Sequence, residues 1–155
     1  MLNVVLVTPN IPQNTGAIGR ICVNTSTRLH IVKPISFDID EKAVRRAGLD
    51  YWKILDLKVW ESLDDFLDYH DKDMKRFFFA TTKTDKPYFE QSFQDGDFLF
   101  FGSETEGLPM ALMERKKENM ITIPMGENGR SLNQAVAVGI VLYDAIRQNY
   151  SKGII

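Results

Sequence analysis

Short runs of almost purely apolar residues constrain this chain most. They are Val4-Val5-Leu6-Val7, Leu29-His30-Ile31-Val32, the Arg76–Thr81 segment with three consecutive Phe, Phe98-Leu99-Phe100-Phe101 and Met120-Ile121-Thr122-Ile123. A strand with one wet face alternates apolar and polar residues; these do not, so both of their faces are expected to be buried. A further segment, Leu55–Val59, does alternate and reads as another strand. Helical spacing fills the gaps between them. Ile18, Ile21 and Cys22 recur after Asn14-Thr15-Gly16, and Leu63, Phe66 and Leu67 follow a capping Ser62. Asp40–Ala47 reads as a short helix capped by Asp40, Leu108–Met113 as another, and Ser131–Gln148 as the longest, capped by Ser131. Strands alternating with helices specify an α/β fold, a mostly parallel sheet flanked by helices.

The chain has 155 residues, which fits a single domain over 1–155. Forty-four per cent of them are hydrophobic, enough for a real core. Pro87–Gly96 reads as loop and Ser151–Ile155 as a frayed tail. The single cysteine, Cys22, excludes an internal disulfide and a cysteine-based zinc cluster, and two His without companions at ligand spacing argue against a metal. We read no signal peptide and no membrane span, so a cytosolic protein is expected. The net charge of −2 argues against a general coat for nucleic acid but permits a local basic patch.

In open α/β sheets ligands bind beyond the carboxyl ends of the strands. The segments there are rich in Gly, Asn and Ser: 9–16 after the first strand, Thr82-Lys83 after the Phe run, 102–108 and 124–133. No dinucleotide fingerprint, P-loop or nucleophile elbow is present.

Three of these segments carry a resemblance. N-I-P-Q-N-T-G-A-I-G-R (10–20), F-G-S-E-T-E-G-L-P (101–109) and I-P-M…G-R-S-L-N (123–133) resemble the signature motifs of the SpoU branch of the SPOUT RNA methyltransferases. The R-R-A-G-L-D-Y-W segment (45–52), the L-Y-D-A-I-R-Q segment (142–148) and the short length are similar to the small tRNA (cytidine/uridine-34) 2′-O-methyltransferases of that branch. The resemblance implies a C-terminal deep trefoil knot, S-adenosylmethionine as methyl donor, a homodimer with its site near the interface, and a tRNA anticodon loop as partner, with leucine tRNAs as substrates.

It also implies roles for particular residues. Arg20, Asn14 and Asn133 match positions near the reacting ribose. Ala80, Thr81, Gly102, Glu104, Ile123, Met125, Ser131 and Leu132 match positions around the donor. Arg45, Arg46 and Tyr51 match an RNA-facing segment, in which Tyr51 or Trp52 suits base stacking. Each has a plainer alternative: Asn14 as a helix cap, Arg20 as a solvated helix arginine, Arg45 and Arg46 as a basic turn. Tyr143 is expected to be buried against the sheet or a dimer partner, and Cys22 and His30 in the core. Members of this type often carry Pro at Ser103, Arg at Glu106 and a second Asn at Val136. The departures at Glu106 and Val136 motivate one rival, a catalytically silent RNA-binding dimer; a second rival is a methyltransferase acting on another RNA.

Overall fold

The structure, a computed structural model, describes the backbone of all 155 residues and every side chain except those of residues 47–49. Six strands form one sheet: β1 (Asn3–Val7), β2 (Arg28–Val32), β3 (Leu57–Trp60), β4 (Phe77–Ala80), β5 (Phe98–Phe101) and β6 (Met120–Ile121). The order is β3-β2-β1-β5-β4-β6, and every neighbouring pair is parallel. Helices α1 (Pro12–Asn24), α2 (Lys42–Gly48), α3 (Leu63–Tyr69), α4 (Met110–Met113) and α5 (Gln134–Asn149) connect or cover them.

Period-two alternation sorts each strand between two cores. Val4, Leu6, Phe78, Leu99 and Phe101 face one side, with α1 residues Ile18 and Cys22 and α5 residues Val138, Val141, Leu142 and Ile146. Val5, Val7, Phe77, Phe79, Phe98 and Phe100 face the other, with Phe66 and Leu67 of α3. Each fully buried side chain of this size contributes roughly 1.5–3 kcal/mol of transfer free energy, so the Phe-rich centre dominates the fold's stability. The parallel sheet and its buried apolar strands match the expected α/β class.

Several local expectations are corrected. α5 starts at Gln134, and its cap is Asn133, whose Oδ1 accepts from the backbone N–H groups of Ala135 and Val136; Ser131 lies upstream in an exposed loop. Asn14 is not a cap either. It is the third residue of α1, whose N-cap position is Ile11 and whose first residue is Pro12, a ring already set for helical φ. Asp40 falls in a turn, its N–H donating to the Asp38 carboxylate at 2.9 Å, before α2 begins at Lys42. The C-terminal tail is ordered: Tyr150–Lys152 form a 3₁₀ turn, Gly153 ends it at φ 75°, and Ile154 packs on the main core. Within the Pro87–Gly96 loop, Tyr88–Glu90 make a 3₁₀ turn and Phe93 is buried, its carbonyl accepting from Asn149. Among the described residues no helix is long and apolar enough to cross a membrane.

Candidate functional site

The four adjacent strands β1, β5, β4 and β6 release their carboxyl ends around one cavity of about 450 Å³. The wall from β1 and α1 supplies Ile11 and Asn14. The wall from β4 supplies Ala80, Thr81, Thr82 and Lys83, and that from β5 supplies Gly102–Leu108. The segment after β6 supplies Ile123, Met125, Ser131, Leu132, Asn133 and Gln134. All eight residues expected around a donor line this cavity, together with Asn14 and Asn133.

Gly102 sets how tightly the β5 wall can close. A Cβ on it would lie 2.0 Å from the carbonyl carbon of Gly107 and 2.2 Å from the nitrogen of Leu108. Backbone therefore occupies the space a side chain would need, and only glycine fits. The loop folds back through Gly107, at φ 73°, whose N–H donates to the Ser103 carbonyl at 3.0 Å. The Ser103 hydroxyl accepts from the N–H of Glu106 at 3.0 Å.

A polar chain ties the walls together, and its polarity is determined end to end. Asn133 Oδ1 is committed to the α5 N-terminus, so its Nδ2 is the end that donates to Asn14 Oδ1, at 3.0 Å. Asn14 must then present its own Nδ2 to Glu104 Oε1, at 3.4 Å. Glu104 Oε2 accepts from the N–H of Asn10 at 2.8 Å, and the Glu104 N–H donates to Asn10 Oδ1 at 3.1 Å. Both side-chain oxygens of Glu104 thus act as acceptors. Asn14 is 7% exposed, so misdirecting its amide would leave buried polar atoms unpaired.

The remaining expected residues lie elsewhere. Arg20 is exposed on α1 and does not line the cavity; its guanidinium sits 5.3 Å from the Tyr51 ring centroid. Gly19 beside it admits the Trp52 ring, which would stand 2.8 Å from a Cβ there. Trp52 thus packs on α1, and that contact holds Tyr51 under Arg20. Arg45 and Arg46 line a separate open concavity with Lys42, Lys53, Asp40 and Asp50. Tyr143 is 49% exposed and is therefore not buried against the sheet.

The amino-acid pattern matches the SpoU rRNA Methylase family over residues 1–143. The chain belongs to this family. A SpoU relative from Escherichia coli (strain K12), a tRNA (cytidine(34)-2′-O)-methyltransferase, is 44% identical over 96% of this chain and 94% of its own. One from Burkholderia cenocepacia, of the same name, is 42% identical over 99% of both chains. A solved structure described as giving insights into the 2-OH methylation of C/U34 on tRNA superposes with a TM-score of 0.92 at 38% identity, covering 97% of each chain. A more distant solved structure, of an AdoMet-bound rRNA methyltransferase from Sinorhizobium meliloti, shares the fold with a TM-score of 0.85 at 23% identity, covering 94% of this chain and 56% of that one.

Sequence reasoning missed some of the cavity of this SpoU protein. Ile11, Lys83 and Gln134 line it and were not among the expected donor residues. The available signal for Gln134 was an amide opening an otherwise apolar helix. Among the described residues no cluster of His, Cys, Asp or Glu could hold a metal ion.

Two buried groups near the sheet play no part in this cavity. His30 is 1% exposed; its Nδ1 accepts from Trp60 Nε1 at 3.0 Å, so its Nε2–H donates to Asn3 Oδ1 at 3.0 Å. Burial, then the charges of His70, Arg28 and Lys58, pull it down to about 3. Burial pushes the Cys22 thiol up, leaving it an inert core residue.

Proposed function

We propose that this chain transfers a methyl group from S-adenosylmethionine to the ribose 2′-hydroxyl of nucleotide 34 of tRNA, within the anticodon loop. One observation carries the reading most. All three sequence segments that resemble the SpoU motifs come together at one cavity, in a chain over 40% identical to named tRNA (cytidine(34)-2′-O)-methyltransferases along almost its whole length.

The donor suits the residues present. The glycine at 102 lets the β5 loop fold back on itself to form the cavity wall, and Ile123, Met125 and Leu132 offer apolar surface for a base. Ala80, Thr81 and Ser131 complete its surroundings, and Glu104 ties the β5 wall to Asn10 and Asn14. When bound, the donor would supply a sulfonium-activated methyl group: the ribose oxygen would displace S-adenosylhomocysteine in line as the S–CH3 bond breaks, and the hydroxyl proton would pass to water. The protein's work is then alignment. Asn14 and Asn133 fix the cavity edge where the ribose must approach. Arg20 contributes charge from the RNA side, since a guanidinium is a poor base. Its contact with Tyr51 joins it to the segment of Arg45 and Arg46, which hold phosphates. Leucine tRNAs are the substrates within this reading.

The chain acts as one domain and in the cytosol. It acts as a homodimer: exposed Ile11 and Leu132 line the cavity and exposed Val136 and Tyr143 lie on α5, apolar surface that a second copy would cover. A C-terminal trefoil knot belongs to the same reading. Its support is the segment after β6, which pairs with the 86–88 loop through the Thr122 N–H to Lys86 and the Tyr88 N–H to Thr122, then returns to the opposite wall at Gln134.

The test is methyl transfer to purified tRNA from labelled donor, with the modified position mapped. Transfer to nucleotide 34 that falls by about 10²-fold or more in Arg20→Ala is expected. Donor binding should stay intact in that variant, because Arg20 lies outside the cavity. Donor binding with no transfer to any RNA would favour the silent RNA-binding dimer. Transfer to ribosomal RNA alone would favour the other enzymatic reading.

A further inference from the structure

Gln134 opens α5, is 7% exposed and lines the cavity. Its Nε2 donates to the carbonyl oxygen of Gly102, the residue at which β5 turns into the cavity wall. Its other end, Oε1, is buried and has no hydrogen-bond partner. We propose that Gln134 is a positioning residue for the methyl donor: it fixes the Gly102 carbonyl, and through it the loop 102–107, in the geometry that accepts the donor. The proposal rests on the cavity being the donor site.

Two observations separate positioning from plain structure. The first is geometric. Gly102 is pressed against the backbone of Gly107, so the direction of its carbonyl sets the direction of the whole returning loop. The neighbouring residue, Asn133, braces the same wall from its far side through Asn14 and Glu104. Consecutive amides at the start of one helix thus hold two points of one loop.

The second is energetic. A net hydrogen bond stabilises modestly, whereas a buried acceptor left unpaired costs as much or more. An amide that satisfies Gly102 with one end and strands its other end therefore adds little to folding stability. Gly102 is only half-buried beside an open cavity, so its carbonyl can turn to water if the amide is removed. The amide's contribution then lies in where it holds the loop.

The experiment is calorimetric titration of S-adenosylhomocysteine into the full chain, paired with thermal unfolding. Gln134→Met keeps the side chain's length and removes both polar ends. It should bind about tenfold more weakly while unfolding within roughly 4 °C of the wild type or above it. Gln134→Glu keeps the shape but has no N–H when ionised. Relative to the wild type at each pH, it should bind weakly at pH 8 and recover toward pH 5, where its protonated form can donate to Gly102. Lys83, Glu104 and Glu106 also line the cavity, are unchanged in both proteins, and cancel in that ratio. Unchanged affinity in Gln134→Met, with or without a lower unfolding temperature, overturns the proposal. If affinity and unfolding temperature both fall, the Glu variant decides: recovery at low pH supports positioning, and no recovery overturns it. A wild-type chain that takes up no donor analogue overturns the donor-site reading itself, and this proposal with it.

Discussion

Asn133 and Asn14, 119 positions apart in sequence, meet at 3.0 Å, and the bond between them orients both amides. It follows that the two side chains act as a unit. Asn133→Ala should lose the α5 cap, worth about 1 kcal/mol, and also release Asn14 to turn away from Glu104. Asn133→Asp keeps an oxygen for the cap but sets a carboxylate against the Asn14 carbonyl oxygen. We expect the Asp variant to keep the α5 cap, yet to unfold at a lower denaturant midpoint than the wild type, because the buried Asn14 oxygen loses its donor, and to bind S-adenosylhomocysteine more weakly. A double-mutant cycle of Asn133→Ala with Asn14→Ala should return a coupling of about 0.5–3 kcal/mol in urea unfolding. Strict additivity would show that the contact carries no energy.

Gly102→Ala has no compatible position for its methyl group. The atoms it would strike are backbone, Gly107 and Leu108, and cannot swing aside as a side-chain end would. The 102–107 loop must move, at a cost of about 2–4 kcal/mol. We predict a chain with wild-type far-ultraviolet circular dichroism, a lower unfolding midpoint and no saturable donor binding in calorimetry. Gly126→Ala is the control: nothing lies within 4 Å of a Cβ there, and binding should survive.

The sheet was legible because its strands, the alternating edge strand β3 apart, are largely apolar on both faces, a pattern that survives in any context. The loop motifs at residues 14, 102 and 123–133 were legible as motifs, and the topology gathers them because β1, β5, β4 and β6 are neighbours. What stayed hidden depends on distant partners. Asn14 reads locally as a cap, and only its contacts with Asn133 and Glu104 show it to be a strut. Ser131 and Asn133 are equally good local caps, and the bond to Asn14 coincides with the choice of Asn133. Gln134 carries no local signature for its bond to Gly102, 32 positions away. Ile154 looks like loose tail until the core it packs against is present.

Arg45 and Arg46 stand in an open concavity with two lysines, so their effect on RNA should be electrostatic and salt-dependent. Replacing both with Ala should weaken tRNA binding at low salt and reduce the slope of log affinity against log salt by about 1–2. Donor binding should not change, since neither residue lines the donor cavity. Filter binding of tRNA across a salt series measures the slope. An unaltered slope would place the phosphate contacts elsewhere.

His30 makes stability depend on acidity. Its neutral ring accepts from Trp60 at Nδ1, so a proton added there would face the indole N–H inside the core. The folded value, about 3, lies below that of an unfolded histidine, near ~6.5. The unfolded chain therefore binds the proton first. The His30 contribution is complete above pH ~6.5 and shrinks as pH falls toward the folded value, by about 1.4 kcal/mol per unit. Between pH 6.5 and 4.5 the urea unfolding free energy should drop by about 2–3 kcal/mol from this group. Asp97, whose carboxyl burial raises against the pull of Arg76, titrates in the opposite sense. Comparison with His30→Gln removes that background, because Asp97 is common to both chains. Glutamine can still accept from Trp60 and donate to Asn3, so the variant should fold, with a flatter stability profile between pH 4.5 and 6.5. A variant as steep as the wild type would assign the acid sensitivity to another group.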